Sequence, residues 1–222
     1  KTLRSYAATY LKEEIQAEAI VRNLPGFARF VPLAALFHGQ TLNVASLARD
    51  AGVARTTVAD YVEILEDTLV ALRLPAFEGK LRVREKKHPK LYWADPGLVR
   101  AAKGIYGDVT PEERGALLEG FVFTMLRVYG ADGARWERLS YWSPAQARNT
   151  EVDFVIEQQR EVHAVEVKAV RRIREEHFSG LRAIRELPGL KRRLLVYLGD
   201  ERQRTTDGIE IVPLAKLHAH LP

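Results

Sequence analysis

Thr150–Val170 reads TEVDFVIEQQREVHAVEVKAV, and its pattern decides the fold of the second half of the chain. Glu151–Glu157 and Val162–Val170 are dense in β-branched residues and flank a polar QQRE, which predicts two strands joined by a turn. Three charged groups lie inside these apolar runs: Asp153, Glu166 and Lys168. Burying even a neutral polar group without a partner costs roughly 2–7 kcal/mol. Such charges therefore either face solvent at a strand end or serve each other and a ligand. Glu166 and Lys168 are two apart, so both side chains leave one face of the strand. In a hairpin Asp153 reaches that face too. Two carboxylates and an ammonium converging on one spot describe a divalent-cation site. The carboxylates hold Mg²⁺ or Mn²⁺, and the lysine orients a water or offsets phosphate charge. The competing reading is a buried Asp–Lys–Glu network that only fixes the sheet.

Upstream of the hairpin, Thr110-Pro111-Glu112-Glu113 opens a helix with a capping residue, a proline at the first position and a glutamate three residues on. Leu117, Leu118, Phe121, Val122, Met125 and Leu126 form its core face, with Glu119 at the edge of that face. Spacing alone leaves Glu119 either an ordinary exposed glutamate or a site acid. Leu139–Ser143 reads as a strand and Pro144–Asn149 as a polar turn. Downstream, Arg171, Arg172 and Arg174 stand beside the expected site, where they suit the phosphates flanking a scissile bond; otherwise they form a basic loop. Glu175–Leu187 is predicted helical, Leu194–Leu198 a buried strand, Ile209–Val212 a short edge strand, and Pro213–Leu221 a terminal helix. A strand–helix–strand crossover puts Leu194–Leu198 in the same sheet.

The first half is more helical. Lys1–Ala19 repeats apolar residues at helical spacing. Pro25-Gly26 is expected to break the chain before a helix over Phe27–Phe37, followed by a turn at His38-Gly39-Gln40. Val44–Ala51, a turn at Gly52 and Arg55–Thr68 resemble a helix-turn-helix, with Leu47, Val53, Val58, Val62 and Leu65 facing inward. As a DNA reader it would present Arg55, Thr56, Thr57 and Asp60. That helix, however, sets one arginine against four carboxylates, which repels phosphate unless a neighbour compensates. Strands LVALRLPAF and KLYWAD flank a basic middle bearing Lys80, Arg82, Arg84, Lys86, Lys87 and Lys90, with Glu85 the one acid. This segment suits a wing on a phosphate backbone or a surface for an acidic partner domain. Leu98–Lys103 is a short helix, and Gly104–Thr110 is the expected linker. The predicted domains are residues 1–104 and 105–222.

Asp153, twelve intervening residues, then Glu166-x-Lys168 resembles the D…E-x-K core of the PD-(D/E)xK nuclease-like superfamily. Glu119 matches the acid that superfamily often carries on the helix before its first core strand; its proline before the aspartate is Val152 here. End to end, the chain is similar to the C-terminal region of a large group of prokaryotic AAA-type ATPases. There an ATPase module precedes a winged-helix segment and a PD-(D/E)xK-like domain. The stretches LRSYAATYLKEEI, LNVASLARDAGVARTTVADYVEILEDT, KHPKLYWADPGL, GALLEGFV, TEVDFV and AVEVK carry this likeness in combination. The resemblance implies an α+β chain, with a winged-helix part followed by a restriction-endonuclease-like αβββαβ mixed sheet. It also implies Asp153, Glu166 and Glu119 as ligands of Mg²⁺ or Mn²⁺, Lys168 as the water-orienting group, nucleic acid as substrate, and an upstream ATPase module as partner.

Composition narrows the classes. The 222 residues are 46% hydrophobic and 28% charged, as in globular domains. No apolar run nears the roughly 20 residues of a membrane helix, and the start lacks a signal peptide's apolar region. The start also lacks a methionine, so a fragment is expected. With no cysteine there is no disulfide or thiolate chemistry, which fits a cytoplasmic location. The charge of +5 permits nucleic-acid binding without demanding it. No G-x-x-x-x-G-K-[ST] loop is present for ATP. The serines match no nucleophile elbow. His163, His177, His218 and His220 are a weak metal-patch candidate. Two functions follow: a metal-dependent nuclease-like domain, or a non-catalytic DNA- or protein-docking module of an ATPase. A homo-oligomeric state stays open.

Overall fold

A computed structural model describes residues 23–78, 87–144 and 150–222. Its contacts divide the chain into two compact units. The first runs through Arg73 and takes in Lys90–Phe121, and the second comprises Leu74–Pro89 and Val122–Pro222. The predicted helix at Lys1–Ala19, the wing residues Lys80, Arg82, Arg84 and Lys86, and most of the turn at 144–149 lie outside the described residues.

In the first unit, α1 (Leu24–Leu36) is followed by β1 (Gln40–Thr41), α2 (Val44–Ala51), α3 (Arg55–Asp67), β2 (Ala71–Leu74), β3 (Lys90–Trp93) and α4 (Pro96–Ala102). The three strands form one small sheet in the order β1-β3-β2. Pro25 opens α1 instead of breaking the chain, because at the first helical turn its missing N–H has no partner to lose. Asn23 caps this end by accepting from the Gly26 N–H at 3.0 Å. Pro96 starts α4 in the same way, two residues before the expected start, with Asp95 accepting from the Leu98 N–H at 2.9 Å. The α2–α3 pair falls where the spacing put it. Asn43 caps α2, Gly52 closes it at φ 65°, and Ala54 gives α3 no side-chain cap. Leu47, Val58, Val62 and Leu65 are buried with Phe27, Phe30 and Trp93, while Val53 is only partly covered. The expected linker Gly104–Thr110 falls inside the first unit, and Arg100 pins it by donating to the carbonyls of Gly107 and Asp108.

Helix α5 (Pro111–Ala131) starts as predicted, with the Thr110 N–H donating to Glu113 Oε1 at 2.9 Å. The second unit holds a six-stranded mixed sheet in the order β4-β5-β6-β7-β9-β8. Its strands are β4 (Arg138–Trp142), β5 (Val152–Gln158), β6 (Glu161–Lys168), β7 (Leu190–Tyr197), β8 (Gln203–Arg204) and β9 (Glu210–Pro213). β4, β5 and β6 run antiparallel, β6–β7 and β7–β9 parallel, and β8–β9 antiparallel. The β5–β6 turn is Gln159-Arg160, with Gln159 at φ 55°. Helices followed by a mixed sheet make this an α+β fold.

Three expectations change. LVALRLPAF is not one strand: Ala71–Leu74 belongs to the three-stranded sheet, whereas the Phe77 N–H donates to the Tyr141 carbonyl of β4 at 2.7 Å. Pro75 lies at the change, where a residue with no N–H cannot continue a ladder. β9 is not an edge, because β8 covers its outer side. The helices predicted at Glu175–Leu187 and Pro213–Leu221 are mainly short 3₁₀ turns, Glu175–Phe178 and Leu214–His220, with a brief α6 (Ser179–Ala183) between β6 and β7. Gly180, within α6, passes close to the start of β5. Its α-carbon runs so close to β5 that an added Cβ would stand 1.7 Å from the Glu151 carbonyl oxygen. Gly180→Ala is therefore expected to cost about 1–3 kcal/mol through forced backbone displacement. A thermal midpoint equal to that of wild type would contradict this close approach.

Phe178, Leu181, Ile184 and Leu187 pack with Val162, Ala164, Leu195 and Ile211 on one side of the sheet. Phe123 of α5 stacks on Phe154 at a centroid distance of 6.3 Å. Among the described residues no helix is long and apolar enough to cross a membrane.

Candidate metal centre

The ladder between β5 and β6 pairs Phe154 with Val165 and Val155 with Ala164. By strand alternation Asp153 and Val155 share a face, as do Ala164, Glu166 and Lys168. Cross-strand pairing makes these one face, the one Ala164 contributes to the core under α6. The apolar cover therefore gives way, toward the end of β6, to three charged side chains.

Asp153 and Glu166 are 3% and 4% exposed, so both carboxylates lie in the protein interior. Asp153 Oδ2 accepts the Val167 N–H at 2.8 Å, taking the place of a backbone acceptor where the β5–β6 ladder ends. Lys168 Nζ donates to Glu166 Oε1 at 2.6 Å, and its side chain keeps 32% of its surface exposed. The parallel register with β7 sets Glu166 beside Leu195 and Lys168 beside Tyr197. The site thus lies at the carboxyl ends of two parallel strands, where open α/β sheets usually bind ligands.

His177 joins this neighbourhood. Its Nδ1 accepts the Arg174 N–H at 3.0 Å, which puts the proton of the neutral ring on Nε2. Its pKa is lowered, first by burial and next by the Lys168 ammonium. In sequence His177 was visible only as one of four scattered histidines, because the turn that sets its ring against the Arg174 N–H is not periodic. The four do not form a metal patch: among the described residues no three His, Cys, Asp or Glu side chains gather as a cation cage.

Glu119 has other company. It accepts from Lys90 Nζ at 3.1 Å and from the Tyr92 hydroxyl, all within the first unit. Lys90, read as part of the basic wing, is 2% exposed and buried in this pair. A long cationic side chain is stable there because a carboxylate meets it.

Of the expected nucleic-acid contacts, Arg55 and Thr56 are exposed on α3, Thr57 is half-buried, and Lys87 is exposed. Glu66 of α3 pairs with the Arg73 guanidinium at 2.5 Å and accepts the Arg73 N–H at 3.0 Å. One of the four carboxylates that weigh against phosphate is thus already neutralised. Arg171, Arg172 and Arg174 are exposed just beyond Lys168. Arg171 pairs with Asp200 at 3.2 Å.

Residues 1–108 match a domain of unknown function (DUF8612), and residues 114–217 match another (DUF4143). The uncharacterized proteins Rv2008c of Mycobacterium tuberculosis and Mb2031c of Mycobacterium bovis are each 28% identical over 211 residues, covering 94% of this chain. The match takes up 46% of either relative, so the chain spans less than half their length. The crystal structure of protein VC1899 from Vibrio cholerae aligns over 99% of this chain and 55% of its own, at 17% identity. Its TM-score of 0.37 is too low for a shared fold to be argued.

Proposed function

We propose that the second unit is a metal-dependent phosphodiesterase domain of the PD-(D/E)xK type, acting on nucleic acid. One observation carries the reading: two buried carboxylates and a half-exposed lysine share one face at the carboxyl ends of β6 and β7. Asp153 and Glu166 offer hard oxygen donors, and Mg²⁺ is commonly bound through one or two carboxylates while keeping several waters. The donor set therefore fits such an ion, with Glu119 engaged elsewhere. Bound there, the ion would polarise a phosphoryl oxygen and lower the pKa of a water. Lys168 then donates hydrogen bonds to the attacking water and to the charge developing on the phosphorus oxygens. Arg171, Arg172 and Arg174 hold neighbouring phosphates as bidentate donors.

We further propose that the first unit is a winged helix. The support is its helix–strand–helix–helix–strand–strand order, with β3 between β1 and β2. The greater length of the relatives supports an additional module in the whole protein, such as the ATPase implied by sequence resemblance.

The competing docking-module reading draws on the pairs Asp153–Val167 and Glu166–Lys168, which also suit a network that only braces the sheet. Isothermal titration with Mn²⁺ and Mg²⁺ separates the two. Saturable binding by wild type, absent in folded Asp153→Ala, is the expected outcome. No binding by folded wild type, with or without oligonucleotide, would overturn the hydrolytic reading.

A further inference from the structure

Beyond Lys168 the sheet opens into a cleft of about 470 Å³. This lies within the roughly 300–1,000 Å³ of small-molecule sites. Arg171, Arg172, Ile173, Tyr197, Glu201 and Gln203 are among its lining residues. The walls are held in place before any ligand arrives. The Leu198 N–H donates to the Val170 carbonyl at 3.0 Å, tying the two sides together. The Tyr197 hydroxyl donates to the Glu201 carbonyl at 2.6 Å and accepts its N–H at 3.2 Å, which fixes the loop after β7. Asp200, also lining the cleft, holds the Arg171 guanidinium at 3.2 Å. A preformed cleft loses little ordering entropy on binding.

The chemistry of the walls is two-ended. Guanidiniums suit a phosphate, whereas the carboxylate and carboxamide that also line the cleft suit the N–H donors and acceptors of a base edge. We propose that this cleft binds one unpaired nucleotide of a nucleic-acid strand, its phosphate on Arg171 and Arg172 and its base edge against Glu201 and Gln203. This deepens the hydrolytic reading and rests on it only for the fate of the strand. The nucleotide next to the reacting phosphate enters the cleft, so the substrate is single-stranded or locally unpaired. A stacked, paired base presents no free Watson–Crick edge to such a wall.

The test is done without metal, in EDTA, so that it does not depend on the carboxylate centre. Wild type is titrated calorimetrically with 5′-AMP, 5′-dGMP, 5′-dCMP and inorganic phosphate. A fluorescein-labelled single strand is then followed by anisotropy, with its unlabelled duplex as competitor. The nucleotides are expected to bind at least about tenfold tighter than phosphate, a difference easily resolved. Arg172→Glu and Gln203→Trp are expected to weaken nucleotide and single-strand binding, while Arg185→Glu, outside the cleft, has no effect. The proposal is overturned by phosphate binding as tightly as nucleotides, by duplex competing as well as single strand, or by folded variants binding like wild type. Nucleotide binding without the Mn²⁺ titration signal would sink the hydrolytic reading and leave the cleft standing. The reverse pattern would do the opposite.

Discussion

Glu166→Gln is expected to lower divalent-dependent cleavage of nucleic acid by about 10²- to 10³-fold, the usual loss when one preorganised electrostatic group leaves a hydrolytic centre. Glutamine keeps the shape of the buried side chain and removes only the charge. The docking reading and the hydrolytic reading then part company on stability. If Glu166 exists to neutralise Lys168, its loss strands a partly hydrated cation and the fold weakens, by less than the ~3–5 kcal/mol of a fully buried pair. If the site is built for a cation, two buried carboxylates on one face repel each other in its absence, and removing one leaves stability unchanged or improved. Lys168 is partly exposed, so water takes over from the lost carboxylate. Chemical denaturation of the metal-free variant beside a cleavage assay decides between them. Lost activity with retained stability supports catalysis, and a large stability loss supports the brace. Lys168→Met adds a third readout. It is expected to abolish cleavage while leaving the Mn²⁺ titration intact, since the lysine holds water and phosphate and not the ion.

Acid is expected to loosen the first unit through one histidine. His38 is 2% exposed. Its Nδ1 accepts the Trp93 N–H at 3.1 Å, so its Nε2 carries the proton and donates to the Ala116 carbonyl, also at 3.1 Å. The ring thus links β3 to α5, and Gly120 leaves room for it: an added Cβ would meet Nε2 at 2.2 Å. Burial, and secondarily the Lys103 ammonium, lowers the His38 pKa to about 4, against the bond to Ala116 that raises it. In the unfolded chain the ring titrates near 6.5. The unfolded state therefore takes up a proton first as pH falls. The contribution of neutral His38 is whole above about pH 6.5 and is lost progressively toward pH 4; the interval corresponds to about 3 kcal/mol. Urea denaturation from pH 7.5 to 4 is expected to fall more steeply for wild type than for His38→Gln, which has no ring to protonate. Parallel pH curves for the two proteins would contradict this assignment.

Much of this architecture is written in local pattern. The apolar strands within Val152–Val167, the short helix at Val44–Ala51 and the Thr110–Glu113 start of α5 are short-range signals, and each stands in the structure within a residue or two of its sequence position. The convergence of Asp153, Glu166 and Lys168 was legible because strand alternation fixes faces without knowledge of the rest of the fold. What misled was also local. Pro25 reads as a breaker until its position in the first turn of α1 is known. Glu175–Leu187 has helical spacing, but the close pass of Gly180 over Glu151 belongs to tertiary packing.

By itself, then, the sequence determined most of the strand and helix segments and which face of the β5–β6 hairpin is charged. Those properties follow from periodicity, capping and composition, all carried within a few residues. Only the tertiary structure decided that Glu119 is held by Lys90 and Tyr92, that His177 accepts from the Arg174 N–H, and that a braced cleft opens beyond β6 and β7. Each of these joins groups distant in sequence, or joined by an aperiodic turn. Their energies are those of buried charge and shape complementarity, which exist only after the chain has folded.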